Sequence, residues 1–256
     1  MIIIKKASEI EKMKQTGQSL ASLFLDLERV VKPGITTLEL DQFIEQGLKE
    51  RKLVSQSKGY MGYKHVSCIS LNDEVVHGIP SSKQVLKEGD LVKIDICAAG
   101  DGYCADMTRM FIVGTPSEQL LKFVTVARQA LDKGIEQARP GNRLSDISAA
   151  IQQEVEQHGF GIVRDFAGHG IGRTMHEDPE ILNYGKPGKG EVLRAGMTFA
   201  IEPMISVGNP EVFVADDEWT AKTVDKSLAA HVEDTIAITD NGPIVLTRIP
   251  NDGGQS

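Results

Sequence analysis

Part of this chain repeats itself 107 positions on. Pro33-Gly34 returns as Pro140-Gly141, and Leu40, Ile44 and Leu48 return as Ile147, Ile151 and Val155. Leu86-Lys87-x-Gly89 returns as Leu193-Arg194-x-Gly196, and Asp95 returns as Glu202, always at the same offset. Self-similarity held in one register marks a duplicated structural unit and constrains architecture before any single element does. The expected fold is therefore α+β: helix–helix–sheet halves, roughly 1–112 and 113–250, related by a pseudo-two-fold axis around antiparallel sheet. Together they make one domain over 1–256 that ends in a short polar tail. Acids on equivalent strands then converge where the halves meet.

Each half opens with helical periodicity. Ile10, Met13, Gly17, Leu20, Phe24, Leu27 and Val31 fall at steps of three and four, the apolar stripe of an amphipathic helix. Ser8–Glu11, Thr36–Glu39 and Thr115–Glu118 read as capping boxes, the last with Pro116 at the first helical position. Lys32-Pro33-Gly34 and Arg139-Pro140-Gly141 stop the helices that precede them.

The stretch Leu91–Phe111 reads as a hairpin. Val92, Ile94 and Ile96 alternate with Lys93, Asp95 and Cys97, and Gly100-Asp101 serves as the turn centre. With that centre Asp95 faces Asp106 directly, and Cys97 faces Cys104. Opposed side chains are only about 5 Å apart, so two carboxylates there repel unless a proton or a cation lies between them.

The chain's 256 residues with 41% hydrophobic content allow ample core. No apolar run reaches membrane-spanning length and the first residues lack signal-peptide organisation, so a cytoplasmic address is expected. Three cysteines without C-x-x-C spacing speak against a disulfide scaffold or zinc ribbon, and a net charge of −8 against broad binding to polyanions.

Other ligands complete the hairpin acids. Gly168-His169-Gly170 sets one histidine among glycines, Ile201-Glu202-Pro203 puts an acid inside an apolar strand, and His231-Val232-Glu233 leads into another. Charged residues are rarely buried without a partner, so Asp95, Asp106, Glu202 and Glu233 on strands call for a cation. With His169 they form an oxygen-rich set suited to Mn, Fe, Co or Zn and large enough for two ions. His77 and His176 also stand beside tight backbone, whereas His65, His158 and His231 read as structural. His176-Glu177 is not a metalloprotease helix motif, because the fifth position is Glu180.

These residues resemble the type 1 methionine aminopeptidases of the short bacterial form, which have the pita-bread fold. The likeness spans the chain and rests on HGIP at His77, the Asp95–Asp106 spacing, GHGIG at His169, IEP at Glu202 and VED at Glu233. The resemblance implies removal of the N-terminal methionine from nascent proteins whose second residue is small. It implies two divalent metal ions, with Asp95 on one, His169 and Glu202 on the other, and Asp106 and Glu233 bridging. His77, His176 and Glu202 would carry catalysis, Glu202 as proton shuttle. Tyr60, Tyr63, Cys68, Met175 and Trp219 would join the two histidines in binding substrate. The implied partners are nascent N-termini and the ribosome near its exit tunnel, with no nucleic-acid sequence and no membrane, for a monomer. Lys64 and Met175 depart from the family's usual proline and phenylalanine, which touches the pocket and not the metal set. The alternatives are an Xaa-Pro aminopeptidase or prolidase-like hydrolase and a non-catalytic binding protein on the same fold.

Overall fold

In the computed structural model, which describes residues 1–249, the repeat is written into the backbone. The α-helices are α1 (Ala7–Leu27), α2 (Thr37–Glu50), α3 (Glu118–Gln137) and α4 (Leu144–Gln157), and α2 and α4 keep the offset of 107. The Gly34 N–H donates to the Leu86 carbonyl and the Gly141 N–H to that of Leu193. Both glycines hold φ near +92°, where a Cβ is penalised. Thr36 bridges to Val85 as Arg143 bridges to Val192. The polar tail from residue 250 onward lies outside the described residues.

The helix starts agree with expectation in one case and shift in two. Thr36 and Glu39 form their reciprocal cap: the hydroxyl accepts from the Glu39 N–H and the carboxylate from the Thr36 N–H. In α1 the cap forms two residues early, because Glu9 accepts from the Lys6 N–H at 2.8 Å and Ser8 is already helical. In α3 the cap is Ser117, which accepts from the Leu120 N–H. Thr115 is unavailable, since its N–H donates to Glu88 and ties that loop across the fold. The α1 helix also ends at Leu27, before Val31.

The main sheet runs antiparallel in the order Val54–Ser55, Leu91–Gly100, Tyr103–Ile112, Glu233–Thr239, Thr198–Ile201, Gly168–Gly170 and Glu177–Ile181. The halves join where Glu233 pairs with Thr108 and Asp234 with Met107. One face is covered by helices. Leu20, Phe24 and Ile44 pack on Ile94, Ile96 and Met107, and Val124, Leu131 and Ile151 pack on Phe199, Ile201 and Ile236. The other face carries the acids.

The hairpin register differs from expectation by two. Asp101 (φ +49°) and Gly102 (φ +79°) are the turn residues, so Gly100 pairs with Tyr103, Cys97 with Asp106, and Asp95 with Thr108. A tight hairpin turn needs positive φ at both central residues, and Asp-Gly meets that demand at low cost. A shift of two leaves every side chain on its own face. Asp95 and Asp106 therefore share the acid-bearing face as diagonal neighbours, about 7–8 Å apart at the backbone, and not as an opposed pair. Cys97 and Cys104 are likewise diagonal, and both are free thiols.

Candidate metal centre

Strand pairing sets the candidate ligands in two adjacent rows across the sheet. One row runs Asp95, Thr108 and Glu233, with Glu202 just beyond the end of the next strand. The second runs Cys97, Asp106, Thr235, Ala200 and His169, the Asp106–Thr235 step being closed by the Asp106 N–H on the Thr235 hydroxyl. The glycines beside His169 are required by close approach. A Cβ at Gly168 would strike the Ala200 carbonyl, and one at Gly170 that of Asp178.

The side chains converge. His169 Nε2 lies 3.6 Å from Glu202 Oε1 and 3.8 Å from Asp106 Oδ2. Its Nδ1 faces the Gly170 carbonyl at 2.9 Å, which places the proton there and leaves the Nε2 lone pair aimed at the acids. Glu233 Oε2 accepts from the Thr108 hydroxyl at 3.0 Å, while Glu233 Oε1 and Asp106 Oδ1 are buried without a partner. Asp106, His169 and Glu233 bring donor atoms within 4.8 Å of one another, and so do Glu202, His231 and Glu233.

Burial pushes Asp106 up to about 7 and Glu202 up to about 8, and it holds Asp95 and Glu233 well above the carboxylate range. Burial also draws His77, His169 and His231 down to about 4, so these rings are neutral donors. Oxygens stranded without partners, acids that burial keeps from ionising and a neutral imidazole are what a divalent cation would satisfy. The donor set fits a metal. A pH effect follows for the metal-free chain. Acids whose folded pKa exceeds their unfolded value bind protons more tightly in the fold, so stability falls as pH rises from about 4 through 8. Melting scans of chelator-treated protein should show that decline, with added cobalt or manganese restoring stability most at the alkaline end. A flat profile would show that the acids are not electrostatically frustrated.

Every side chain assigned from the sequence to metal, catalysis or substrate lines one cavity of about 790 Å³. His77 holds φ at +60°, a strained setting of the kind found at functional sites, and its ring meets Phe166 edge-on at 5.5 Å. The His176 ring stands edge-on to His169 at 4.5 Å and to Tyr60 at 5.5 Å. Tyr63 and Trp219 pack at 4.9 Å, and the Tyr63 hydroxyl donates to the Ser67 carbonyl. Cys68 and Met175 complete this apolar side. Cys97, Phe166 and Met204 line the cavity too, without having been assigned to it from the sequence. Cys97 was legible, because it follows Asp95 at the strand period of two. His65 pairs with Asp41 and His158 with the Glu154 carbonyl, and neither lines the cavity. His231 Nε2 lies 3.3 Å from Glu202 Oε2.

Acids and an imidazole gathered on one sheet face, with two further histidines at the wall, define a metal-dependent hydrolase type of site. The sequence pattern of metallopeptidase family M24 matches residues 11–240. Methionine aminopeptidase of Clostridium acetobutylicum is 49% identical over 247 residues, covering 96% of this chain and 99% of that protein. The crystal structure of methionine aminopeptidase from Thermotoga maritima superposes with a TM-score of 0.95 at 47% identity, covering 97% of this chain and all of that one. Prolidase from Pyrococcus furiosus gives 0.77 at 25% identity, with 97% of this chain matched to 66% of that one. The chain belongs to metallopeptidase family M24 and, within it, to the methionine aminopeptidases. Its fold is the pita-bread fold that the resemblance implied, with the duplicated α+β halves expected from the repeat.

Proposed function

We propose that this protein removes the N-terminal methionine from polypeptides whose second residue is small. The observation that carries this is the convergence of Asp95, Asp106, His169, Glu202 and Glu233 in a cavity that also holds His77, His176 and an apolar wall. Asp95 would hold one ion, His169 and Glu202 the other, and Asp106 and Glu233 both. Two divalent ions of the Co, Mn, Fe or Zn class supply Lewis acidity, which acidifies water near neutral pH and polarises a carbonyl. The chain's own residues do the rest. The apolar wall of Tyr60, Tyr63, Cys68, Met175 and Trp219 receives the methionine side chain, and the free amine is drawn to the Asp95 side. His176, beside His169, donates to the oxyanion that develops on the scissile carbonyl. His77, across the cavity, orients the scissile amide nitrogen. Glu202 takes the attacking water's proton and delivers it to the leaving amine.

The whole chain acts as one domain, a monomer in the cytoplasm that meets nascent chains near the ribosomal exit tunnel. No helix among the described residues is long and apolar enough to cross a membrane. A peptide panel with added metal tests the function. Release of Met from Met-Ala-Ser with Xaa-Pro peptides untouched is expected, and the reverse pattern would make the protein a prolidase-type enzyme. His77→Ala and His176→Ala should each lower kcat by about 10²–10³-fold. Calorimetry should show both variants binding metal like the parent; loss of metal would mean that these rings serve the ligands and not the substrate.

A further inference from the structure

One buried acid takes no part in the metal set. Asp41 follows Leu40 on α2 and is 6% exposed. The duplicated fold does not demand it, because 107 positions on α4 carries Ser148, also buried, at the same place. What Asp41 serves is the loop that carries Tyr63 and Cys68. Its Oδ1 accepts from the Val66 and Ser67 N–H groups, each at 3.1 Å, and from the Ser67 hydroxyl at 2.8 Å. Its Oδ2 lies 2.9 Å from His65 Nδ1. A buried carboxyl is costly without partners, and one that gathers four contacts from three consecutive residues fixes the loop that supplies them.

Two groups that hold Tyr63 depend on this carboxyl. The Tyr63 hydroxyl donates to the Ser67 carbonyl at 2.9 Å, and the His65 ring stands edge-on to the Tyr63 ring at 5.9 Å. Tyr63 in turn packs on Trp219 at 4.9 Å, and both line the cavity. We propose that Asp41 is a positioning residue for the cavity's apolar wall: it holds Ser67 and His65, and through them sets Tyr63 against Trp219. Without Asp41 the loop donors turn to water, the Ser67 carbonyl shifts and the Tyr63 hydroxyl loses its acceptor. The slackened wall then grips the substrate's first side chain less well in ground state and transition state alike, which raises KM and leaves kcat nearly unchanged. This kinetic consequence rests on the proposed removal of N-terminal methionine; the link from Asp41 to Tyr63 does not.

The test compares Asp41→Ala, which removes every acceptor, with Asp41→Asn, whose amide oxygen can still take the three Oδ1 bonds. In cobalt-loaded protein the Ala variant should raise KM for Met-Ala-Ser about tenfold with kcat within about threefold, and the Asn variant should recover most of the KM. A merely structural role would instead lower the folded fraction, and so the apparent kcat, at unchanged KM. An unchanged KM in the Ala variant, or equal KM losses in both, would overturn the assignment. Trp219 is the chain's one tryptophan and reports the wall directly. Its emission should shift to the red and quench more readily with acrylamide in Asp41→Ala, and stay parent-like in Asp41→Asn; parent-like emission in the Ala variant would overturn the assignment. If Asp41→Ala does not fold, Tyr63→Phe cuts the same link at its far end. That variant should raise KM about threefold with a red-shifted Trp219, and parent values of both would be equally fatal. Emission needs neither metal nor substrate. A parent that cleaves no methionyl peptide would therefore count against the function alone, and an undisturbed Trp219 against this link alone.

Discussion

Asp106→Asn is expected to abolish methionyl-peptide cleavage, by roughly 10³-fold or more, while making the metal-free chain more stable at alkaline pH. Both effects come from one position. Asp106 lies between His169 and the first-half acids, and its buried Oδ1 has no protein partner. The amide keeps the volume and one acceptor oxygen but removes the charge that would let this residue bridge two cations. Apart from Glu233, the other side chains would touch one ion or only the substrate, so their losses should be smaller. Without metal the sign reverses: Asp106 is buried among Glu202, Glu233 and Asp95, and one fewer ionisable group relieves their repulsion. Metal titration by calorimetry should show fewer ions bound tightly. Urea unfolding of chelator-treated protein at pH 8 should show the variant surviving to higher denaturant. Two full-affinity sites in Asp106→Asn would mean that the bridge is made elsewhere.

Much of this was legible because it rests on local chemistry or on a repeat. The Thr36–Glu39 cap is decided within four residues, and the offset of 107 reappears as matched glycines and matched backbone hydrogen bonds. The convergence of the candidate ligands was legible because an acid inside an apolar strand is costly enough to demand a reason. What failed was decided by competition between near-equal local choices, or by pairing between distant segments. Gly100-Asp101 and Asp101-Gly102 are both turn-competent, and only the twist of the flanking strands selects the second. Glu9 and Glu11 could each serve a cap, and the extended backbone at Lys6 settles it. His231 reaches Glu202 only because Ala229–His231 pairs with Met204–Ser206, a contact that no nearby residue announces. Asp234 was passed over altogether: of two consecutive acids, the one facing away from the metal side drew no assignment.

That neglected acid carries the second large effect. Asp234→Asn is expected to lower the unfolding free energy by about 3–5 kcal/mol and the melting temperature by roughly 10 °C. Alternation along the strand sends Glu233 into the cavity and Asp234 to the helix-covered face, where it is fully buried. It accepts from Arg109 Nη2 at 2.7 Å, from Arg248 Nε at 2.8 Å and from the Thr247 hydroxyl at 2.7 Å. Arg109 belongs to the first half and Asp234 to the second, so the pair closes the seam across which Asp106 and Glu233 must meet. Arg109 Nη1 also donates to the Glu233 carbonyl at 2.6 Å, fixing the backbone of a proposed metal ligand. Neutralising Asp234 leaves a buried guanidinium without its counter-charge, which is the costly way to break such a pair. Replacing Asp234 together with Arg109, Arg109→Met with Asp234→Leu, should recover part of the lost stability, since the more deeply buried guanidinium leaves with its counter-charge while Arg248 keeps Asp132. Metal affinity should fall in the single variant, because the seam that holds Glu233 loosens. Denaturant unfolding of the two singles and the double gives the coupling energy; a loss below about 1 kcal/mol in Asp234→Asn would show that the packed helices, and not this ion pair, hold the halves in register.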